Sequence, residues 1–282
     1  MSCLIKVLIE DTNSGHEVLK SEHGLSLYVE TPESKFVFDC GASGQAWENA
    51  KFLNVKLSQI NFAVISHSHY DHAGGFRALM QYVKPKASLA ELKLYTGKDF
   101  WLEKFEYENN KYAYIGAGFD QSDLAEWGVE NVLINNNILQ LDNYAWLAGN
   151  FERRFDFETI PDEFVVRRGF KDYERDNFND EIALVLREDD GIAIITGCAH
   201  PGILNIVASI HENLKLKVKS VIGGTHLKHA SPERIDKTLS MLKDMGLERM
   251  GLCHCSGELV RDRLKDFKAT GCLLSTGDLI EF

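Results

Sequence analysis
One stretch limits what this chain can fold into. Residues 65–75 read Ile-Ser-His-Ser-His-Tyr-Asp-His-Ala-Gly-Gly, with His67, His69, Asp71 and His72 inside six positions directly after the largely apolar run 60–65. Imidazoles and carboxylates are costly to desolvate, so crowding them at a strand end requires compensation. On an extended backbone, side chains at i, i+2 and i+4 project to one side. His67, His69 and Asp71 have that spacing, and His72 follows where Gly74-Gly75 turns the chain toward a helix. This differs from H-E-x-x-H, whose ligands share a helical face. Here a loop at the mouth of a sheet could give two histidines to one metal, with Asp71 and His72 serving a second. Neutral imidazole and carboxylate suit zinc, with manganese or iron as alternatives. The bland reading is a hydrogen-bonded histidine cluster. The four ligating residues, the preceding strand and the following glycines favour metal over it.

The 282 residues suffice for a substantial core and suggest one domain spanning 1–282. A net charge of −11 argues against broad contact with nucleic-acid phosphates. No apolar run approaches a membrane span, and the first residues lack the pattern of a secretory signal, so a cytoplasmic location is the default expectation. Six cysteines in a chain of this kind do not call for a disulfide framework. Cys3 and Cys272 lie in apolar surroundings and read as core residues, whereas Cys40, Cys198, Cys253 and Cys255 sit beside glycine or histidine at strand ends.

Short strands are expected at 4–9, 25–30, 35–38 and 61–65, with a helix over 76–83. The same grammar returns from residue 181: strands at 181–187 and 191–196, a helix over 202–213, and a strand at 218–222. Ser231-Pro232-Glu233 is a good helix start, with its end near Gly246, and Ser256 could cap a last helix reaching about residue 267. Between the two halves, residues 86–180 are dense in aromatics and read as an insertion covering one face of the core.

Two metals need more ligands than one motif supplies. His200, His226 and His254 each follow an expected strand end, where an αβ core gathers its functional loops. His16, His211 and His229 lie among polar residues and read as surface groups. His23, beside Gly24, is a candidate for the edge of the site. Arg153-Arg154 and Arg167-Arg168 could collect a phosphate or carboxylate, Arg153 and Arg168 being the candidate substrate contacts. The alternative is ordinary pairing with Glu152, Asp156 and Glu158.

His67-Ser-His69-Tyr-Asp71-His72 resembles the H-x-H-x-D-H signature of the metallo-β-lactamase superfamily, and Asp39-Cys40-Gly41 is similar to its early Asp-Thr-Gly turn. Glu22-His23-Gly24, Asp180-Glu181, Thr196-Gly197-Cys198-Ala199-His200, Gly223-Gly224-Thr225-His226 and His254-Cys255-Ser256-Gly257 resemble one branch of it. That branch is named for a methanogen enzyme joining a pterin-methyl group to a ribofuranosyl-aminobenzene phosphate. The resemblance implies an α/β (α+β) protein, a four-layer αββα sandwich, with Asp39 orienting ligands from behind. It implies one ion on His67, His69 and His200 and another on Asp71, His72 and His254. Cys198 stands where the superfamily usually has a bridging aspartate, as a further ligand or a small buried residue. The leading expectation is a dinuclear hydrolase of a small ester, phosphoester or amide acting through a metal-bound water, with Asp71 at the reacting centre and His226 near the substrate. A pterin-methyl transferase and a metal-stabilised sensor are the rivals. Its partner would be a small molecule, anionic or bearing an aromatic ring.

Overall fold
The computed structural model describes residues 2–83, 92–264 and 271–282. The first part supplies β1 (Leu4–Ile9), β2 (Ser26–Glu30), β3 (Lys35–Phe38), α1 (Gln45–Phe52), β4 (Phe62–Val64), α2 (Tyr70–Ala73) and α3 (Phe76–Val83). The middle supplies β5 (Leu92–Gly97), β6 (Glu103–Glu108), β7 (Lys111–Tyr114), α4 (Gln121–Trp127), β8 (Val129–Ile134), β9 (Ile138–Gln140), β10 (Ala145–Ala148), β11 (Phe164–Gly169) and β12 (Asp172–Arg175). The last part supplies β13 (Ala183–Glu188), β14 (Gly191–Thr196), α5 (Ile203–Leu214), β15 (Val218–Gly223), α6 (Pro232–Asp244), β16 (Arg249–Leu252), α7 (Glu258–Leu264), β17 (Gly271–Leu273) and β18 (Leu279–Glu281). Among the described residues no helix is long and apolar enough to cross a membrane.

Two seven-stranded sheets carry the molecule, ordered β18-β1-β2-β3-β4-β5-β8 and β17-β16-β15-β14-β13-β10-β9. In each, antiparallel pairing at one side changes to parallel pairing at the other, at β3–β4 and β14–β15. Side-chain alternation explains the stacking. Phe36 and Phe38 of β3 enter the core between the sheets, while Val37 faces the outer core under α1 and α3. In β14, Ala193 and Ile195 face the central core and Ile192 and Ile194 face α5 and α6. Strands buried on both faces need helices outside both sheets, and the result is the expected αββα sandwich.

Ser231 caps α6, its Oγ accepting from Arg234 N at 3.2 Å, and Gly246 (φ 87°) lies just beyond the helix as expected. Ser256 does not cap α7; its hydroxyl accepts from Thr225 Oγ1 at 3.0 Å, and α7 begins after Gly257. Residues 265–270, the expected continuation of that helix, lie outside the described residues, as do the start of the 86–180 segment and the side chain of Cys272. Cys3 is buried as expected.

The segment 86–180 is not one appended cover. β5 and β8 extend the first sheet by parallel pairing, and β9 and β10 extend the second. Only β6, β7, β11 and β12 form a separate sheet, ordered β12-β11-β6-β7. Its aromatics divide accordingly: Phe100 and Trp101 join the outer core, whereas Phe105, Tyr112, Tyr114 and Tyr173 pack on one another in the small sheet.

A buried cation ties the small sheet to the rest. Lys104 of β6 is 1% exposed, and its Nζ donates to Asp176 Oδ2 at 2.6 Å and Asp180 Oδ1 at 2.8 Å. Asp180 Oδ2 in turn accepts from Ser68 N at 2.9 Å, inside the His67–His72 loop. Burial works to lower the Lys104 pKa, but Asp180 and Asp176 outweigh it and raise it. Replacing Lys104 with methionine strands two carboxylates in the interior, and such losses run to about 3–5 kcal/mol. The expected result for Lys104→Met is a lower urea midpoint at unchanged m, partly restored by adding Asp176→Asn.

Candidate metal centre
The chain gathers its ligands at the carboxyl ends of strands in both sheets. His67, His69, Asp71 and His72 follow β4, Cys198 and His200 follow β14, His226 follows β15 and His254 follows β16. Bringing these loops together requires unusual backbone. Asp39, Ala199, His226 and His254 all adopt φ between 51° and 62°, a region in which side-chain-bearing residues are strained. Gly75 admits the loop beside β3, since a Cβ there would overlap the Cys40 and Ser43 carbonyl oxygens.

Two sets of ligand atoms result. His67, His69 and His200 form one, with ring centroids 4.7–5.1 Å apart. Asp71, His72 and His254 form the other. Asp71 Oδ2 lies 3.3 Å from His254 Nε2 and 3.7 Å from His72 Nε2. The two sets adjoin, the His67 and His72 centroids being 4.3 Å apart. Cys198 sits between them, with Sγ 3.1 Å from His72 Nε2 and within reach of both His67 and His254.

Carboxylates behind the ring set its orientation. His72 Nδ1 bonds Asp39 Oδ2 at 2.6 Å, His200 Nδ1 bonds Glu181 Oε2 at 2.7 Å, and His254 Nδ1 bonds Asp11 Oδ1 at 2.7 Å. Asp39 also accepts from Ser66 N and Ser66 Oγ, and that hydroxyl contacts His67 Nδ1 at 3.0 Å. A carboxylate accepts from Nδ1–H, so each Nε2 turns its lone pair inward. His72 Nε2 and His254 Nε2 face each other at 3.2 Å, a contact relieved by a proton or by a cation between them. Nε2 of His67 and of His69 are buried with no protein partner among the described residues. Orphaned imidazole nitrogens and carboxylate support fit bound divalent metal.

The electrostatics agree. Burial first, and then neighbouring imidazoles and Lys104, hold His67, His69 and His200 well below the ordinary histidine range, which keeps them in the neutral form that binds metal. Burial opposes ionisation of Asp71, but His72 and His254 outweigh it and keep its pKa low. Burial would also lower His254, yet its bonds to Asp11 and Asp71 raise it well above the ordinary range. Burial pushes the Cys198 thiol up.

A cavity of about 420 Å³ opens on the ligands. His69, Asp71, Cys198, His200 and His254 form part of its lining, together with His23 and His226, and Glu106, Glu163 and Phe164 of the small sheet complete one wall. His23 is at the edge, its Nδ1 3.0 Å from Asp11 Oδ2 and its Nε2 3.3 Å from Asp71 Oδ2. The His226 ring lies 4.4 Å from that of His200. Arg153 and Arg168 are not in this cavity. Arg153 lies behind the centre, donating to the carbonyl oxygens of Asn177 (2.6 Å) and His200 (3.5 Å). Arg168 is an exposed partner of Glu174 and Asp99. Their closeness to other arginines in the chain does not become closeness in space.

Asp11, Phe178 and Lys104 escaped the sequence reading, and Glu181 and Cys255 entered it only within motifs, without a role. Asp11 is a carboxylate at the end of β1 with no local pattern to mark it, and Glu181 lies in the turn before β13. Phe178 stacks on His200, with centroids 3.8 Å apart and planes 8° from parallel, and Lys104 Nζ lies 4.4 Å from the Phe178 centroid. Cys255 reaches the centre too, its sulfur accepting from His226 N at 3.2 Å.

Comparison with known proteins follows this geometry. The profile described as the Metallo-beta-lactamase superfamily matches residues 21–203. The chain is 29% identical to 7,8-dihydropterin-6-methyl-4-(beta-D-ribofuranosyl)-aminobenzene-5'-phosphate synthase of Methanocaldococcus jannaschii, over 99% of this chain and 96% of that protein. It is 30% identical to Tm1679, a metal-dependent hydrolase of the beta-lactamase superfamily, with a TM-score of 0.83 over 99% of each chain. A diphosphatase from the PhnP family matches at 15% identity and a TM-score of 0.59, over 100% of this chain and 98% of that one, a likeness of fold alone.

Two outcomes are expected. Asp39→Asn removes the negative charge and one of the two acceptor oxygens shared by His72 and Ser66, and metal affinity falls by about 10–100-fold, measured by competition with a chromophoric chelator. In metal-free protein, unfolded histidines take up protons below about pH 6.5, while His67, His69 and His200 resist and His226, lowered by burial and then Arg234, does so down to about 4. The unfolded state then binds more protons, so stability is lost as pH falls from 6.5 toward 4. His254 and His23, both raised, act oppositely, their contribution being complete below pH 6.5 and lost as pH rises through their folded values. With four lowered against two raised, urea unfolding of chelated protein should give lower stability at pH 5 than at pH 7.

Proposed function
The chain belongs to the metallo-β-lactamase superfamily, and from that premise we propose that it is a dinuclear metal-dependent hydrolase of a small ester, phosphoester or amide. The carrying observation is the pair of adjoining ligand sets, His67/His69/His200 and Asp71/His72/His254, with buried imidazole nitrogens that no protein atom satisfies. Zinc is the ion that this mixture of imidazole, carboxylate and a nearby thiol suits best. Divalent ions held there supply Lewis acidity and lower the pKa of water, making a nucleophile available near neutral pH.

The protein's own part is positional. Asp39, Glu181 and Asp11 hold three imidazoles by their Nδ1 atoms, so the ligand set is ordered before substrate arrives. Phe178 and Phe164 shield His200 and His69 from water on the side of the small sheet. His226 faces the cavity beside His200 and lies within reach of a bound substrate. His23, half-exposed and held by Asp11, stands at the rim over Asp71.

Transfer is the second reading, favoured by the synthase relative that spans nearly the whole chain. The same residues would hold a diphosphate leaving group while an arylamine took the place of water.

Chelation should abolish turnover of an ester and phosphodiester panel, and zinc or manganese should restore it. His67→Ala and Asp71→Asn should each lower kcat by about 100-fold or more. Heavy oxygen from labelled water must appear in the product. A silent panel at full metal occupancy removes the hydrolase reading, and a coupled, label-free product from a pterin-methyl diphosphate and an arylamine establishes the transferase.

A further inference from the structure
Two cationic side chains in the cavity have no anionic partner. Lys228, in the loop after β15, and Arg234, in the first turn of α6, both line it. Among the described residues neither has a carboxylate within 4.0 Å. Most arginines of this acidic protein are engaged, as Arg77 with Asp123, Arg154 with Glu152, Arg167 with Glu103 and Arg175 with Asp162 show. Arg234 donates from Nη1 to Thr159 O at 3.2 Å, which fixes its guanidinium, while its Nε is buried and lacks a partner. An unpaired, half-buried guanidinium is a poor solution for stability but a good one for a planar oxyanion.

The surroundings say where such an anion sits. Arg234 and Lys228 line the same cavity as His226, whose ring lies 4.4 Å from that of His200. Glu106 and Glu163 line the wall formed by the small sheet and repel an anion there. Tyr70, Ile115, Pro161 and Phe164 offer apolar surface in the same cavity. Two positive charges with no carboxylate in contact, the Arg234 charge being offset only at longer range by Glu158, match a dianion better than a single carboxylate.

We propose that Lys228 and Arg234 form an oxyanion subsite that takes a terminal phosphate of the substrate, separate from the bond broken at the metal centre. This rests on the reading that the cavity receives the substrate. The substrate class is then a phosphomonoester whose reacting ester, phosphoester or amide lies at the opposite end of a compact, partly apolar body.

Crystals of metal-loaded protein soaked in inorganic phosphate test the subsite without turnover. Phosphate should lie within hydrogen-bond distance of the Arg234 guanidinium and Lys228 Nζ, and should be lost from that position in Arg234→Gln at unchanged metal content. Phosphate at the metals alone, or nowhere, overturns the proposal. In kinetics, two esters alike at the reacting bond, one with a remote phosphate, should differ in kcat/KM. Arg234→Gln and Lys228→Met should each shrink that preference at least tenfold, through KM. An unmoved preference, or a remote carboxylate favoured as strongly as phosphate, overturns it. If phosphate binds at Arg234 and no ester is turned over, the subsite stands and the hydrolase reading falls.

Discussion
Two imidazole nitrogens, His72 Nε2 and His254 Nε2, face each other across 3.2 Å, and the surrounding loops are arranged around that contact. Neither ring can turn away, because Asp39 and Asp11 hold the opposite nitrogens. Asp39 is itself set by two donors from Ser66, so the end of β4, the early turn after β3 and the metal loop form one hydrogen-bonded unit. Asp11 comes from the end of β1 and reaches across 243 residues of sequence. The strained backbone of Asp39, Ala199, His226 and His254 is tolerated because these contacts over-determine it. The inward-facing ligand atoms that result are what give the centre its capacity to hold a cation.

How much of this could be read in advance depended on how the chain delivers each group. His67, His69, Asp71 and His72 were legible because one loop supplies all of them. His200 and His254 were legible because strand ends in an αβ core converge. Asp11 was not, since a lone carboxylate after a strand has no pattern, and Glu181 stood in a recognisable Asp-Glu pair whose role comes only from the imidazole opposite. The arginine pairs misled for the reverse reason. Along β11, side chains alternate in direction, so Arg167 crosses to Glu103 of β6 while Arg168 turns to Glu174 and Asp99. The boundary at 86–180 misled because aromatic density was read as one unit. Those aromatics are shared among several places: Phe100, Trp101, Phe119 and Trp127 pack in the outer core, Trp146, Phe151, Phe155 and Phe157 under the helices of the second sheet, and Phe105, Tyr112, Tyr114 and Tyr173 on one another in the separate sheet.

The cavity combines a floor made from both large sheets with a wall from the small one. Its chemistry is asymmetric: ligands below, uncompensated cations toward α6, carboxylates on the small sheet. A molecule with one reactive end and one charged end has a single favourable direction in such a field. On the proposed reading, metal would be held near the strand ends and the charged end of the substrate near residues 226–234.

The Lys104 triad gives the small sheet a definite mechanical character. Its ammonium group is clamped between Asp176 and Asp180, and Asp180 grips the backbone of the metal loop itself. The sheet is thereby riveted to the floor it overhangs, a fixed jaw and not a hinged one. Clearance between jaw and floor becomes a gauge that admits substrates by thickness. The β6–β7 tip and the β11–β12 turn lie away from that rivet and are tied down mainly by pairing within the small sheet.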